Sequence, residues 1–355
     1  MCVWYSVHPK AGTPCVNSAP RSSMYIQLMH EYIKNQILKK LRLKEKPSVA
    51  LPIAGLPKPV TEDENLFPRS QDDSSSEYSD DYYGKTTQAI IFPHEDKIKC
   101  PRKKRNPSAC LPFQIPADLH PSDVSMAELW VYKKLDILDS HNQTFLISEV
   151  AHWDSKRSFQ KTKPIAMKET HIGEGWIKIN IAWAVKNWIE YSETNHVLSV
   201  ACKTCGMDIH ASPIELDKDL KPFLVIYTYS QSRRRPQRRI KRNLNCVPGM
   251  NECCRESLYV SFKDIGWNDW ILHPPGYNAF FCRGSCTATA SVTLSASYHN
   301  TIMQKMMYGS NRKLELVPCC APTHYQKLEL LFLKDNKTLT TQMLPNMVVD
   351  TCGCM

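Results

Sequence analysis

Nowhere in its 355 residues does the sequence contain a run approaching the roughly 18 to 20 apolar residues of a membrane-spanning helix, so no membrane insertion is expected. The first residues, Met1 to Lys10, also lack the apolar stretch of about 7 to 15 residues that a signal peptide carries. A truncated or alternative start is the expectation if the chain is exported. Neither G-x-S-x-G nor H-E-x-x-H occurs, and His273, His299 and His324 join no other catalytic pattern, which removes the chemistry a secreted zymogen would need. No enzyme activity and no cofactor are expected. A broad electrostatic footprint for nucleic acid is missing as well. The net charge of +10 is concentrated in Arg233–Arg242 and in Arg102-Lys103-Lys104-Arg105, while the residues from Asn243 onward hold nine Lys and Arg against eight Asp and Glu. Internal repeats are absent too.

What is present is cysteine, unevenly placed. Nine of the fifteen lie after the basic run, at Cys246, Cys253, Cys254, Cys282, Cys286, Cys319, Cys320, Cys352 and Cys354. Such a density in a short segment reads as a disulfide scaffold that cannot rely on a large apolar core. An odd count leaves one sulfur over, either free or bonded to another chain, and so points toward a covalent dimer. Adjacent Cys-Cys pairs and Cys-x-Cys fit poorly with the two-to-four-residue gaps of structural zinc sites. Eight cysteines allow 105 pairings, and their spacing alone does not choose among them.

Ahead of the scaffold, residues 1–242 read as a separate unit. From Tyr25 to Leu43 the residues Met29, Ile33, Ile37 and Leu41 recur at every fourth position and predict an amphipathic helix, with Lys39, Lys40 and Arg42 favouring the negative end of its dipole. Pro47, Pro52, Pro57 and Pro59 predict an extended segment over 44–60, and the acidic, serine-rich stretch 61–84 a disordered insertion. Tyr78, Tyr82 and Tyr83 in that insertion are candidates for sulfation, although a solvated linker is the simpler reading. β-rich runs at Glu128–Leu135, Phe145–Val150, Trp176–Ile181, Val197–Ala201 and Phe223–Tyr229 predict a mainly β arm spanning about residues 120–230. Asn142 opens a glycosylation sequon, and so does Asn336. Cys202-Lys203-Thr204-Cys205 has redox spacing but no helical pattern after it, so a structural disulfide is favoured. Within the basic region 233–242, Arg239, Lys241 and Arg242 form the pattern that acid-lined furin-type convertases select, at the boundary between the two units. The same spacing at Arg102–Arg105 marks a second candidate cut, between Cys100 and Cys110.

The Cys253-Cys254 pair, Cys282-Arg283-Gly284-Ser285-Cys286, the Cys319-Cys320 pair and Cys352-Gly353-Cys354 resemble the cystine-knot domain of the transforming growth factor-beta superfamily. Val260 to Ile271 and the early Cys246 are similar to activin/inhibin beta subunits. The resemblance covers essentially all of 243–355. It is looser in the pro-region, through the early helix, Glu128–Lys133 and Pro222-Phe223-Leu224. It implies an all-β growth factor of two finger hairpins and a wrist helix, preceded by a mainly β pro-domain with an N-terminal amphipathic helix. It pairs Cys282 with Cys352 and Cys286 with Cys354, closing a ring threaded by Cys253–Cys320. Cys246 then pairs with Cys254, and Cys319 is left for the partner subunit. Gly284 would keep the short arm of the ring clear.

The resemblance further implies a secreted ligand that does no chemistry. Released by cleavage after Arg242 and paired with itself or a related subunit, it would activate type I and type II receptor serine/threonine kinases and Smad signalling. Trp267, Trp270 and the helix carrying Tyr298, Ile302 and Met306 would meet the type I receptor. Leu272, His273, Pro274, Leu331, Leu333 and Asp350 would meet the type II receptor on the convex knuckle. Glu329 and Thr341 depart from the activin pattern there. Follistatin-like antagonists and the chain's own pro-domain are further implied partners, the early helix masking the type I surface. The competing reading is a non-signalling cystine-knot antagonist that sequesters related ligands or receptors.

Overall fold

The structure is a computed structural model that describes residues 23–48, 56–62, 82–94, 106–138, 141–150, 162–171, 173–191, 194–208, 210–228, 245–286, 319–335 and 338–354. The first helix, α1 (Ser23–Lys40), buries Ile33, Ile37 and Leu41, the stripe its four-residue period predicts. It stops before Leu43. Arg42 takes a positive φ of 58°, the Leu43 amide donates to the Leu38 carbonyl at 2.9 Å, and the Arg42 amide donates to Lys39 at 3.1 Å. These two bonds are the Schellman closure, built here on arginine rather than glycine.

The 44–60 segment is not extended throughout, because a short helix, α2 (Lys58–Glu62), forms at its end. Pro59 is tolerated in the first turn, where its missing N–H would have had no intrahelical partner anyway, and the Val60 amide donates to the Pro57 carbonyl at 2.8 Å.

The arm contains β1 (Lys85–Ile91), β2 (Ser108–Gln114), β3 (Val124–Lys133), β4 (Gln143–Val150), β5 (Thr162–Thr170), β6 (Gly175–Asn180), α3 (Ala182–Glu190), β7 (Asn195–Cys202) and β8 (Phe223–Thr228). It therefore begins well before residue 120. β2 carries Pro112, which a sheet accepts because β2 is the edge of a four-stranded sheet ordered β2-β7-β4-β5. That sheet packs on β1, β8, β3 and β6 through one apolar core including Ile91, Leu111, Phe113, Leu129, Val131, Phe145, Ile147, Val200 and Ile226, with Ala184, Val185 and Trp188 of α3 at its margin. Cys202 and Cys205 form a disulfide, and Asn142 is exposed in the turn before β4.

The tail is built from β9 (Cys254–Glu256), β10 (Tyr259–Ser261), β11 (Ile271–His273), β12 (Gly276–Asn278), β13 (Phe281–Arg283) and the long hairpin β14 (Cys320–Asp335) and β15 (Thr338–Cys354). β9 pairs with β13, β10 with β12, and β11 with β14. The decisive connection crosses between the two units. β1 of the arm pairs antiparallel with β15 of the tail, from Lys85 opposite Met343 to Ile91 opposite Thr338, giving one seven-stranded sheet ordered β11-β14-β15-β1-β8-β3-β6. Among the described residues, no helix is long and apolar enough to cross a membrane.

Candidate functional site

Among the described residues, four disulfides organise the tail: Cys246–Cys254, Cys253–Cys320, Cys282–Cys352 and Cys286–Cys354. These are the pairs the resemblance implies. The last two close a ring around Cys253–Cys320, and Cys253, Cys286 and Cys354 are buried against one another. Their sulfurs lie within 4.8 Å, as in a metal site, but each is committed to a disulfide and offers no thiolate to zinc.

Gly284 sits in the ring at φ 116°, and a Cβ there would stand 2.1 Å from the Glu252 carbonyl oxygen. The obstruction is therefore the threading backbone rather than the threading sulfurs. Cys319 is also disulfide-bonded.

The ring anchors the β14–β15 hairpin, whose side chains alternate between two faces as pleating requires. On one face Leu328, Leu330, Phe332, Leu344 and Met347 form a cluster with Val260, Phe262, Trp267 and Trp270 of the first finger. Trp270 is fully buried, edge-on to Trp267 at 5.1 Å and to Phe332 at 5.7 Å. Ile33, Ile37 and Leu41 of α1 belong to the same cluster, so the early helix lies on the surface that carries both tryptophans. Lys46 beyond the helix pairs with Asp269 at 2.5 Å, an exposed contact of small energetic weight.

On the opposite face Leu331, Leu333 and Leu339 join Ile90, Phe92, Trp130, Phe223 and Val225 of the arm, under Leu56 and, from α2, Val60. Of the expected knuckle residues, Leu331 and Leu333 are thus buried by the pro-region, Leu272, Pro274 and Asp350 are half-buried, and His273 is exposed. Leu272 packs against the same cluster. Thr341 lies opposite Gln88 of β1, and its backbone carbonyl accepts from the Thr87 hydroxyl at 3.3 Å. Burial raises the Glu329 carboxyl above the usual carboxylate range. Tyr298, Ile302 and Met306, the cleavage residues Arg239, Lys241 and Arg242, and Asn336 lie outside the described residues.

At the C-terminal end of α1, Lys40 is buried, its ammonium 3.3 Å from the Tyr82 carbonyl oxygen and 4.4 Å from the Tyr82 ring. Desolvation lowers its pKa from 10.5 to about 8. Arg42 lies 4.4 Å over the Tyr83 ring, so these two tyrosines cap the helix instead of belonging to a free linker. Tyr78 lies outside the described residues. Sequence reasoning missed the second covering face. The four-residue spacing of Leu56 and Val60 was its only local signal, too short to register as a helix.

A threaded disulfide ring holding slender hairpins, with a β-rich pro-region packed on both of their faces, defines a cystine-knot ligand precursor. Comparison with known proteins makes the assignment specific. The family model described as transforming growth factor beta like domain matches residues 252–354, and that described as TGF-beta propeptide matches residues 21–227. The chain belongs to the TGF-beta family, whose ligand fold is a non-catalytic signalling domain.

It is similar to the inhibin beta B chains of Gallus gallus, 31% identical over 238 residues, and Homo sapiens, 30% over 244, each alignment covering 65% of this chain and 60% and 58% of the relative. It is 28% identical over 335 residues to the inhibin beta chain of Drosophila melanogaster, covering 80% of this chain and 34% of that one. The chain thus spans about a third of the fly protein and about three-fifths of the two vertebrate ones.

Proposed function

We propose that the chain is the precursor of a secreted activin-like ligand held latent by its own pro-region. Cleavage after Arg242 by a furin-type convertase would free 243–355, which as a dimer would bring type I and type II receptor kinases together and start Smad signalling. One observation carries the reading: Ile33, Ile37 and Leu41 of α1 share an apolar cluster with Trp267 and Trp270, the residues expected to meet the type I receptor. The burial of Leu331 and Leu333 under the arm extends it to the type II surface. A covered surface cannot engage a receptor, and after cleavage the arm's other contacts keep α1 at high effective concentration. The inter-subunit bond falls on Cys319 by resemblance.

The test is conditioned medium applied to receptor-bearing cells with a Smad-dependent reporter. Deleting residues 25–43 should raise basal signalling. Unchanged activity would refute masking by the helix, and suppression of an added ligand would mark an antagonist instead.

A further inference from the structure

Between α1 and the fingers lies a cavity of about 130 Å³, partly open to solvent, that the masking contact leaves unfilled. A volume of that order admits a small apolar ring or a short chain, and the open mouth leaves room for a longer one. Met29 and Ile33 of α1 and Phe280 and Met347 of the tail supply apolar wall, while Lys40 and Tyr277 supply polar groups from the two sides.

Among the described residues, neither polar group has the partners that its burial calls for. Tyr277 is 7% exposed, and its hydroxyl makes no hydrogen bond. Lys40 is 4% exposed; among the described residues its ammonium meets the carbonyl oxygen and ring of Tyr82 and pairs with no carboxylate. A buried cation and an unused hydroxyl donor lining one cavity with greasy walls call for a ligand that is anionic at one end and apolar at the other.

We propose that this cavity binds a small anionic amphiphile, a carboxylate on an apolar chain or ring, that bridges the pro-region and the ligand domain. The carboxylate accepts from the Tyr277 hydroxyl and pairs with Lys40, and the apolar body covers Met29, Ile33, Phe280 and Met347. Because each side of the cavity comes from a different unit, the ligand binds only the closed arrangement and stabilises it by mass action. The other titratable groups of the wall are Tyr32, Tyr82, Tyr277 and Tyr325. Burial pushes Tyr32 and Tyr277 above the ordinary phenol value, whereas Lys40, at about 8, changes charge near neutrality.

The test is calorimetric titration of the full chain with decanoate and, as a neutral match, decanol. Saturable binding is expected for both, with decanoate tighter by about tenfold or more, as a charge-assisted pair implies. Lys40→Met should erase that preference while keeping decanol binding, which also reports that the variant is folded. Tyr277→Phe should weaken decanoate several-fold. In the unaltered chain the preference should fade as the pH rises through 8. No saturable binding, equal affinity for the two probes, or a preference that survives Lys40→Met would each overturn the proposal. So would decanoate binding that appears only when residues 63–81 are deleted, which would make the chain's own acidic insertion the occupant.

Discussion

The arm and the tail solve the same problem in opposite ways. The arm closes two sheets over a continuous apolar core, and its described bridge Cys202–Cys205 spans three residues. The tail has a core of sulfur, and its described disulfides include separations of 67, 68 and 70 residues. Its hairpin leaves apolar side chains on both faces, and those faces are covered by residues of the pro-region. A region that stabilises itself by cross-linking can keep greasy surfaces for partners. A region that stabilises itself by burial uses its greasy surfaces up.

The sharpest way to break this contrast is to remove a bridge from each side. By loop-closure entropy, Cys282–Cys352 contributes about 4 kcal/mol and Cys202–Cys205 under ~2 kcal/mol. Substituting both cysteines of the first pair by serine should abolish secretion of a protease-resistant tail. The matching change at Cys202 and Cys205 should leave most of it, and equal losses would erase the distinction.

Next in size is Ile37→Ala. Its side chain is fully buried between the units, so the change should cost the precursor about 2 to 5 kcal/mol of resistance to denaturant and leave the separated tail unaffected.

A smaller effect follows from Lys40. Its docked pKa lies near 8 and its released value near 10.5, so between these the released helix binds more protons, and docking should strengthen as pH rises through that window. Below about 8 the burial cost is undiminished. Retention of α1 on the tail, followed by proteolysis across pH 7 to 11, should show this rise, and Lys40→Met should flatten it.

The smallest effect belongs to Glu329, whose carboxyl is raised by burial. The folded precursor holds that proton at a pH where the unfolded chain has lost it, so stability should fall as pH climbs just above the ordinary carboxylate value. Glu329→Gln should remove that decline in a denaturant series.

How much of this was legible in the chain depended on how local the cause was. The α1 stripe and five of the arm's strands follow from periodicity within single segments. The knot pairs follow from a resemblance carried by cysteine spacing. Elements set by distant contacts did not announce themselves: β1 is recognisable as a sheet bridge only once β15 is beside it, and α2 is five residues long. Pro112 disguised β2, because an edge position is invisible in the sequence. Lys40 was read from its own turn as a cation favouring the helix dipole, whereas its burial involves Tyr82, forty-two residues away. On the binding surfaces, the residue types were legible but their covering was not, since it depends on two faces of one hairpin meeting two different pro-region elements.

Amide hydrogen exchange along β15 tests the central claim most directly, comparing the intact precursor with the isolated 243–355 fragment. Alternate amides between Leu339 and Met343, on the side facing β1, should be protected in the precursor and exchange freely in the fragment, while those facing β14 stay protected in both. Equal protection of both sets in the two forms would contradict a pro-region that completes the tail's sheet and covers its faces.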